Sequence, residues 1–299
     1  PVIAISAVRT GAGKSPISHW LSEHLSGQGR RVAVLRHPMP YGDLARQRVQ
    51  RFQTSAELTA AGCTAEEREE YEPHLALGHV VFAGVDYGAI LAAAEAECDI
   101  IIWEGGNNDW PFLVPGLHIV IADALRPDHG ARYHPGETVA RMADLVVVNK
   151  VDSAAPEQVA RVVALMRALN PEAPIIEAAS PVRLDDPAAV AGRRVIVVED
   201  GPTLTHGGMA YGAGYVAAKA AGAAAIVDPR ASAAPAIAAV FAAYPHIGPV
   251  LPATGYDPEQ LQALAETING AAADLVIVAT PFDLAALITL EKPVVRARY

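Results

Sequence analysis

An apolar run followed at once by a glycine-rich loop constrains this chain more than any other feature. Residues 2–6, VIAIS, have the composition of a buried strand, and AVRTGAGKS follows without a gap. A strand, a tight glycine turn and a helix form a phosphate cradle, in which backbone N–H groups surround the anion. The sequence therefore predicts a loop that binds nucleotide phosphates through Gly11, Ala12, Gly13, Lys14, Ser15 and Pro16.

Three residues of this loop have specific expected roles. Lys14 is expected to reach the terminal phosphates, and Ser15 to ligate Mg²⁺. Val8 stands where the full GxxxxGK[ST] pattern has glycine, so RTGAGKS is the better description, with Arg9 opening the loop. This segment is similar to the variant P-loop of the SIMIBI class of NTPases, in which a basic residue opens the loop. The alternative is a glycine-rich turn that binds no ligand.

The composition narrows the class of protein. Of the 299 residues, 52% are hydrophobic, yet no uninterrupted apolar stretch approaches the ~20 residues that span a bilayer. The net charge of -10 argues against a nucleic-acid partner. Cys63 and Cys98 are too few for a disulfide framework or a zinc site. We therefore expect a cytoplasmic enzyme with no membrane and no nucleic-acid partner.

Strand and helix patterns alternate along the whole chain, which is typical of a parallel α/β sheet. We predict an α/β P-loop NTPase fold, with a mostly parallel sheet flanked by helices over 1–190 and a smaller C-terminal α/β lobe over 191–299. One continuous sheet is the alternative. The acidic segment 52–78 is predicted to be a helical insertion or a lid. Strands are predicted at 2–6, 31–36, 99–105, 117–123, 144–150, 174–179, 194–201, 224–228, 274–280 and 293–299.

A second nucleotide signal, NKVD, follows the predicted strand DLVVVNK. In GTPases the aspartate of an NKxD loop accepts hydrogen bonds from guanine, and the lysine stem covers the base. Ligands collect at the carboxyl ends of the strands in an open α/β sheet, which is where this tetrapeptide falls. Asn149, Lys150 and Asp152 are therefore predicted to bind the nucleotide base. The alternative is a loop with a helix cap at Asp152 or Ser153.

A carboxylate ends the predicted strand DIIIWEG, and further polar residues follow it. Glu104 has the position of an acid that holds Mg²⁺ directly or through water. Asn107 and Asn108 would then orient a nucleophile, although turn chemistry explains them equally well. The predicted metal ligands are Ser15, Glu104 and, from the loop RHPMPYGD, Asp43.

Two other loops carry candidate substrate groups. Arg36 and His37 follow the second predicted strand, where a substrate would approach the γ-phosphate. In the segment DGPTLTHGGMAYGAGY, several glycines surround Thr205 and His206. This pattern is typical either of an anion-binding nest or of a hydrogen-bonded structural turn.

Long and unusual strings in this chain resemble the family of cyclic 2,3-diphosphoglycerate synthetases and their bacterial relatives described as predicted GTPases. The resemblance is carried by AVRTGAGKSP, RHPMPYGDL, EEREEYEPH, AGVDY, EGGNNDWPF, YHPGET, NKVD, EAASPV, VEDGPTLTHGGMAYGAGYVAAK and YPHIGPVLPA. Members of this family commonly carry an additional amino-terminal domain before the P-loop. The resemblance therefore implies a further domain before Pro1.

The resemblance also implies an ATP-dependent ligase that closes 2,3-diphosphoglycerate into a cyclic phosphoanhydride and releases ADP and phosphate, with Mg²⁺ present. Lys14, Arg9 and Mg²⁺ would stabilise the transferred group, and Glu104 and His37 complete the predicted catalytic set. Such a substrate carries two phosphates and a carboxylate, so several polar partners must surround it. The candidates are Arg36, His37, Tyr41, Arg51, Asn107, Asn108, His134, Thr205 and His206.

Other functions stay open on the sequence alone. NKVD favours GTP whereas the synthetase reaction uses ATP, so the expected cofactors are Mg²⁺ with ATP or GTP. One alternative is a SIMIBI-class GTPase that acts as a switch or chaperone. Another is a ligase or kinase for a different small polyanionic acid. The expected partner is a small anionic phosphorylated substrate, and a homodimer is a further hypothesis.

Overall fold

The computed structural model describes residues 1–36, 43–106, 109–253 and 258–299. Within these ranges the chain divides into two compact units, Pro1–Ser180 and Pro181–Tyr299. Four predicted site residues lie outside the described ranges: His37, Tyr41, Asn107 and Asn108.

An eight-stranded sheet forms the frame of the first unit within the described residues. Its strands are β1 (Val2–Ala7), β2 (Val32–Arg36), β3 (Gln50–Phe52), β4 (Val80–Ala83), β5 (Ile100–Glu104), β6 (Leu117–Asp123), β7 (Leu145–Asn149) and β8 (Ile175–Ala178). The spatial order is β3-β4-β2-β5-β1-β6-β7-β8. All neighbouring pairs are parallel except β3 with β4. The predicted mostly parallel α/β sheet is therefore present.

Helices cover both faces of this sheet, as a parallel sheet of continuous apolar strands requires. They are α1 (Lys14–Gly27), α2 (Ser55–Ala61), α3 (Ala65–Ala76), α4 (Tyr87–Glu97), α5 (Gly136–Met142) and α6 (Pro156–Leu169). Helix α1 packs its Ile17, Leu21 and Leu25 against the strands, because a spacing of four residues keeps side chains on one face. Among the described helices of the whole chain, none is both long and apolar enough to cross a membrane.

The segment 52–78, predicted as a helical insertion or lid, contains α2 and α3 and begins on the last residue of β3. Thr54 and Thr64 start these helices, each with a complete capping box. Leu58 and Tyr71 are fully buried and pack with Val81 of β4. Two helices thus occupy this segment, and they pack against β2 and β4 of the sheet.

The second unit has its own sheet within the described residues. Its strands are β9 (Arg183–Leu184), β10 (Arg194–Asp200), β11 (Ala225–Ile226), β12 (Leu251–Ala253), β13 (Leu275–Ala279) and β14 (Val294–Arg298). Their order is β11-β10-β13-β14-β9, and β12 also pairs with β10. The helices are α7 (Pro187–Val190), α8 (Gly201–Leu204), α9 (Ala213–Ala220), α10 (Pro235–Ala243) and α11 (Pro258–Gly270).

The two units divide earlier in the chain than the boundary predicted at residue 190. Strand β9 pairs antiparallel with β14, with Leu184 opposite Ala297. This backbone pairing attaches the segment after Ser180 to the C-terminal unit. The composition changes near 190, but hydrogen bonding between strands places the division after Ser180.

Candidate functional site

Strand register brings three sequence motifs of the first unit together at the carboxyl ends of β1, β2 and β5. Glu104, the last residue of β5, lies opposite Ile5 of β1 and Arg36 of β2. The glycine-rich loop leaves β1 at the same edge and ends at Lys14, the first residue of α1. A catalytic or binding site is expected at this edge of a doubly wound sheet.

Glu104 is the centre of a buried ionic cluster. Its Oε1 lies 2.7 Å from Lys14 Nζ and 3.0 Å from Arg36 Nη1. Burial alone would raise the pKa of Glu104, but Lys14 and Arg36 hold that pKa well below the usual carboxyl value. Burial lowers the pKa of Lys14 to about 8, against the opposing charge of Glu104. At neutral pH the cluster therefore contains an ionised carboxylate between two cations.

Helix α3 contributes two further members of this cluster. His74 Nε2 lies 2.7 Å from Glu104 Oε2, and both side chains are almost completely buried. Glu70 forms an ion pair with Arg36. His19 of α1 packs edge-on against the His74 ring, with ring centroids 4.5 Å apart. The acidic segment EEREEYEPH therefore joins the ionic cluster through His74, which contacts Glu104, and through Glu70, which contacts Arg36.

The cluster does not fit a resident divalent metal in this state. Within the described residues, His19, His74 and Glu104 offer ligand atoms within 4.8 Å of one another. Lys14 and Arg36 already place two positive charges on the carboxylate, and a dication would be repelled by both. Glu104 becomes a candidate Mg²⁺ ligand only when Lys14 moves away from it.

The P-loop itself is held by three side chains that bind successive carbonyl oxygens. Arg126 Nη2 donates to Thr10 O at 2.8 Å, and Asn149 Nδ2 donates to Ala12 O at 3.0 Å. Lys150 Nζ donates to Gly11 O between them. In a trans peptide the carbonyl and the following N–H point in opposite directions. Fixing these oxygens therefore also directs the N–H groups of Gly11 and Gly13 away from the side chains that hold the carbonyls of their own peptides.

The start of α1 fits an anion. Its N-cap residue, Gly13, offers no side-chain cap, and the first turn contains no acidic residue. The first N–H groups of a helix need acceptors, and the helix dipole favours a negative charge at this end. Ser15 lies in the same first turn, where its hydroxyl fits a Mg²⁺ beside bound phosphates. These observations agree with a nucleotide phosphate site.

A buried aspartate connects the two loops that hold the P-loop. Asp123 ends β6 and lies beside Asn149 of β7 in the sheet register. Its Oδ2 is 2.8 Å from Arg126 Nη2 and 3.0 Å from Lys150 Nζ. One carboxylate thus orients both cations that donate to carbonyl oxygens of Thr10 and Gly11.

The NKVD residues divide into two groups by their contacts. The polar groups of Asn149 and Lys150 contact the P-loop backbone and support the phosphate cradle, and the contact of the Lys150 stem with a base stays a prediction. Asp152 is exposed, and its Oδ1 accepts a hydrogen bond of 2.9 Å from Ser180 N. Of these three residues, Asp152 is the one whose side chain is presented at the surface.

Two other predicted residues make aromatic contacts: Arg9 at the start of the P-loop and His134 on another loop. Arg9 stacks on the Tyr133 ring, with Cζ 3.7 Å from the ring centroid. His134 is exposed and packs edge-on against Trp110, with centroids 5.8 Å apart. Arg9 is thus oriented by an aromatic face, and His134 remains accessible to a ligand.

Three predicted site residues are engaged in other contacts. Arg36 is 1% exposed and pairs with Glu104 and Glu70, so it does not present a free guanidinium to substrate. Arg51 Nη2 lies 2.7 Å from Oε2 of Glu97. Glu97 is the last residue of α4 and lies shortly before the start of β5. Asp43 is exposed and accepts from Ala45 N at 2.9 Å in a local turn. The ion pairs of Arg36 and Arg51 argue against both residues as direct substrate ligands, whereas the role of Asp43 as a metal ligand stays a prediction.

The glycine-rich segment of the second unit binds a carboxyl group that the chain itself supplies, that of Glu199, whose pKa burial raises to about 7. The carboxylate of Glu199 accepts N–H groups from Gly212 at 3.1 Å, Gly214 at 3.0 Å and Tyr215 at 2.8 Å. A Cβ at Gly212 would lie 2.6 Å from Glu199 Oε2. These backbone donors are taken, so of the two sequence interpretations the structural turn is correct.

Thr205 and His206, predicted as substrate residues, belong to the same structural turn. The buried Thr205 hydroxyl donates to Gly201 O at 2.9 Å, which is a local helical contact. His206 is exposed, with Nδ1 3.2 Å from Thr205 Oγ1. The contacts of Thr205 explain its presence without a substrate, so we withdraw it from the candidate site.

We expect Glu199→Ala to lower the free energy of unfolding of the second unit by about 3 kcal/mol, because three backbone N–H groups, of which that of Gly214 is buried, lose their acceptor. Chemical denaturation, with hydrogen exchange of the amides at 212–215, measures this loss. Glu266→Ala is the matched control, because Glu266 is exposed and bonds only to Gln262 among the contacts described for it. Equal stability of the two variants would contradict the internal role of Glu199.

Taken together, the fold and the site define a P-loop α/β enzyme that uses a nucleoside triphosphate. Arginine synthetase ArcE of Thermococcus kodakarensis is 54% identical to this chain over 299 residues, which are 100% of this chain and 67% of that protein. The chain therefore belongs to the family of this synthetase.

Two further comparisons agree with the sequence prediction at a coarser level. Cyclic 2,3-diphosphoglycerate synthetase of Pyrococcus furiosus is 32% identical over 98 residues, 33% of this chain and 22% of that protein. LpxK of Aquifex aeolicus, solved in complex with ATP, covers 100% of this chain and 82% of its own with a TM-score of 0.51 and 13% identity. The first match confirms a weak homology to the predicted family, and the second shows the fold alone. No family model matches the sequence.

Sequence reasoning missed three residues that the structure makes central. His74 closes the acidic string EEREEYEPH, and a histidine after so many acids was a signal for a specific contact. Asp123 ends its strand as Asn149 ends the next one, so strand pairing would have placed them together. For Glu199 the signal was a carboxylate at a strand end followed by a glycine-rich segment.

Proposed function

We propose that this chain carries the nucleotide site of a synthetase that activates a small substrate by phosphoryl transfer. The observation that carries the proposal is the set of three side chains on successive P-loop carbonyls, from Arg126, Lys150 and Asn149. They orient the loop for phosphates before any ligand binds, and this preorganisation is how enzymes stabilise phosphoryl transfer. The family relationship to a synthetase agrees with this chemistry.

Different residues of the loop bind the phosphates and stabilise the charge of the transferred phosphoryl group. The N–H groups of Gly11 and Gly13 would bind the phosphates of a nucleoside triphosphate, and Ser15 would hold its Mg²⁺. The bound nucleotide would supply the phosphoryl group. Lys14 moves from Glu104 to the terminal phosphates. Its positive charge there stabilises the negative charge on the phosphoryl group during transfer. Arg9, held by Tyr133, adds a second cation at the mouth of the loop.

For the substrate we favour a ureido compound that is converted to a guanidinium. The relative with the greater coverage is named for the synthesis of arginine. The oxygen of a ureido group is a poor leaving group. Attack of this oxygen on the γ-phosphorus would release the nucleoside diphosphate and leave an O-phosphoryl group, which an amine can then displace from carbon as phosphate. Citrulline with ammonia would in this way give arginine, the nucleoside diphosphate and phosphate. Closure of 2,3-diphosphoglycerate is the second candidate, favoured by the homology over 98 residues.

A matrix of two nucleotides and three acceptor conditions tests this proposal. Phosphate release would be measured from ATP and from GTP with Mg²⁺, with no acceptor, with citrulline plus ammonium, and with 2,3-diphosphoglycerate. Arginine is detected by amino-acid analysis, and a cyclic diphosphate by phosphorus NMR. Acceptor-stimulated release with arginine formed supports the first substrate, and a cyclic product supports the second. Slow release from GTP alone, indifferent to both acceptors, would instead indicate a GTPase switch and contradict the synthetase proposal.

The preference between ATP and GTP is proposed to depend on Asp152. If its exposed carboxylate accepts hydrogen bonds from guanine, Asp152→Ala will weaken GTP binding about 10-fold or more and leave ATP binding unchanged. Calorimetric titration with both nucleotides measures the difference. Asp128→Ala is a suitable control, because Asp128 is a surface carboxylate paired with Arg161. An unchanged ratio of the two affinities in Asp152→Ala would show that NKVD does not select the base.

A further inference from the structure

Helix α3 buries polar residues where a helix usually buries aliphatic ones. Glu67, Tyr71 and His74 share one face, because residues spaced by three and four lie together on a helix. All three are almost completely inaccessible to solvent. Desolvating such groups costs free energy unless each has a partner, so this face is expected to have specific polar contacts.

The contacts at the two ends of this face differ in kind. Glu67 accepts from the backbone N–H of Thr64 at 2.7 Å, which is a local helix cap. His74 instead contacts Glu104, which lies 30 positions further along the chain, at the end of β5. The first contact stabilises α3 itself, whereas the second joins α3 to the phosphate site.

The geometry at His74 defines which nitrogen donates. Nε2 lies 2.7 Å from Glu104 Oε2, and an ionised carboxylate can only accept. Nδ1 is buried and has no hydrogen-bond partner among the described residues. The tautomer with its proton on Nε2 satisfies this arrangement. The edge-on ring of His19 packs against the imidazole and restricts its rotation.

The two carboxylate oxygens of Glu104 contact different partners. Lys14 and Arg36 both approach Oε1, and His74 approaches Oε2. A P-loop lysine has to leave its carboxylate to reach a bound phosphate. After that departure the ion pair with Arg36 remains at Oε1 and the hydrogen bond from His74 remains at Oε2, so the carboxylate keeps its orientation. Without His74, Oε2 would be a buried acceptor with no donor, and the carboxylate would be free to turn after Lys14.

We propose that His74 is a positioning residue, which holds Glu104 in place when bound nucleotide draws Lys14 away. This inference rests on the proposed function of the site as a phosphoryl-transfer centre. It assigns a role to the EEREEYEPH segment: α3 supplies the donor that keeps the Glu104 carboxylate oriented after Lys14 has moved to the phosphates.

Two substitutions at His74 separate positioning from packing. In His74→Gln the amide nitrogen occupies about the place of Nε2 and keeps a donor for Oε2, whereas His74→Ala removes it. We expect kcat for nucleotide turnover to fall about 10-fold or more in His74→Ala, with KM and the dissociation constant of a non-hydrolysable nucleotide within about 3-fold of wild type. His74→Gln should recover most of kcat.

His118→Ala is the matched control. His118 is a buried histidine of the same unit, and its Nε2 lies 2.9 Å from Ser6 Oγ. We expect this variant to lose thermal stability and to keep kcat at temperatures where it is folded. If both His74 variants lose kcat equally, or if His74→Ala raises only KM, His74 does not position Glu104.

Nitrogen NMR of the histidine rings gives a readout that does not depend on turnover. The His74 signals, identified by their loss in His74→Gln, should show a protonated Nε2 both without ligand and with a non-hydrolysable nucleotide. Loss of that tautomer on nucleotide binding would overturn the inference. A wild-type chain that binds nucleotide with the tautomer retained, but turns over none, would contradict the proposed function and not the role of His74.

Discussion

Lys14→Met is expected to abolish nucleotide turnover, with kcat/KM reduced roughly 100-fold or more. The substitution keeps most of the apolar stem and removes the charge that stabilises the transferred phosphoryl group. It should not unfold the first unit, because Glu104 retains Arg36 and His74 as partners. Steady-state phosphate release, together with thermal unfolding, measures both effects.

The control for Lys14 is another lysine on a helix. Lys219 is exposed near the end of α9, with Nζ 5.8 Å from the centroid of the Tyr215 ring. Lys219→Met should leave turnover and stability within experimental error of wild type. Turnover that survives in Lys14→Met would exclude the glycine-rich loop as the site of phosphoryl transfer.

Gly13→Ala is expected to reduce nucleotide affinity about 10-fold or more and to destabilise the first unit. Gly13 has a φ of +102°, where an L side chain is strained. A Cβ there would lie 2.1 Å from Asn149 Nδ2, so the amide that holds Ala12 O would have to move. The carbonyl would then lose its donor, and the N–H groups of the cradle would lose their common direction.

Gly29→Ala separates backbone strain from this contact. Gly29 has a φ of +80°, and a Cβ there would meet nothing within 4 Å. We expect Gly29→Ala to cost about 1 kcal/mol of stability, from the backbone alone, and to leave nucleotide affinity unchanged. Calorimetric titration of both variants makes the comparison. If Gly13→Ala binds nucleotide as tightly as Gly29→Ala does, the contact between Gly13 and Asn149 does not shape the cradle.

The sequence predicted the fold well because its signals are local. Apolar strands such as VIAIS and DLVVVNK, each followed by a helix, specify a parallel sheet through short-range spacing. Strands with weaker patterns were missed. Residues 80–83 form β4 between β2 and β3, and residues 50–52 form β3 at the sheet edge. Their positions are decided by pairing with strands that are distant in sequence.

The candidate site was predicted only in part, because the sequence signals for it are also local. Lys14 and Glu104 stand out because a motif or a strand end marks them, and the structure places them 2.7 Å apart. The role of Arg36 as a substrate ligand was misjudged, because its burial between Glu104 and Glu70 depends on how β2, β5 and α3 meet. The sequence shows which residues are cationic, but it does not show which of them form ion pairs with carboxylates in the folded chain.

The sequence alone determined the strand–loop–helix of the phosphate site, the alternation that makes an α/β sheet, and the family resemblance. These depend on residues that are neighbours in the chain. Only the tertiary structure decided that Asn149 and Lys150 hold the P-loop, that Glu199 occupies the glycine-rich turn, and that His74 reaches Glu104. The physical reason is that each buried polar group must find a partner, and the order of the strands determines which partner is within reach.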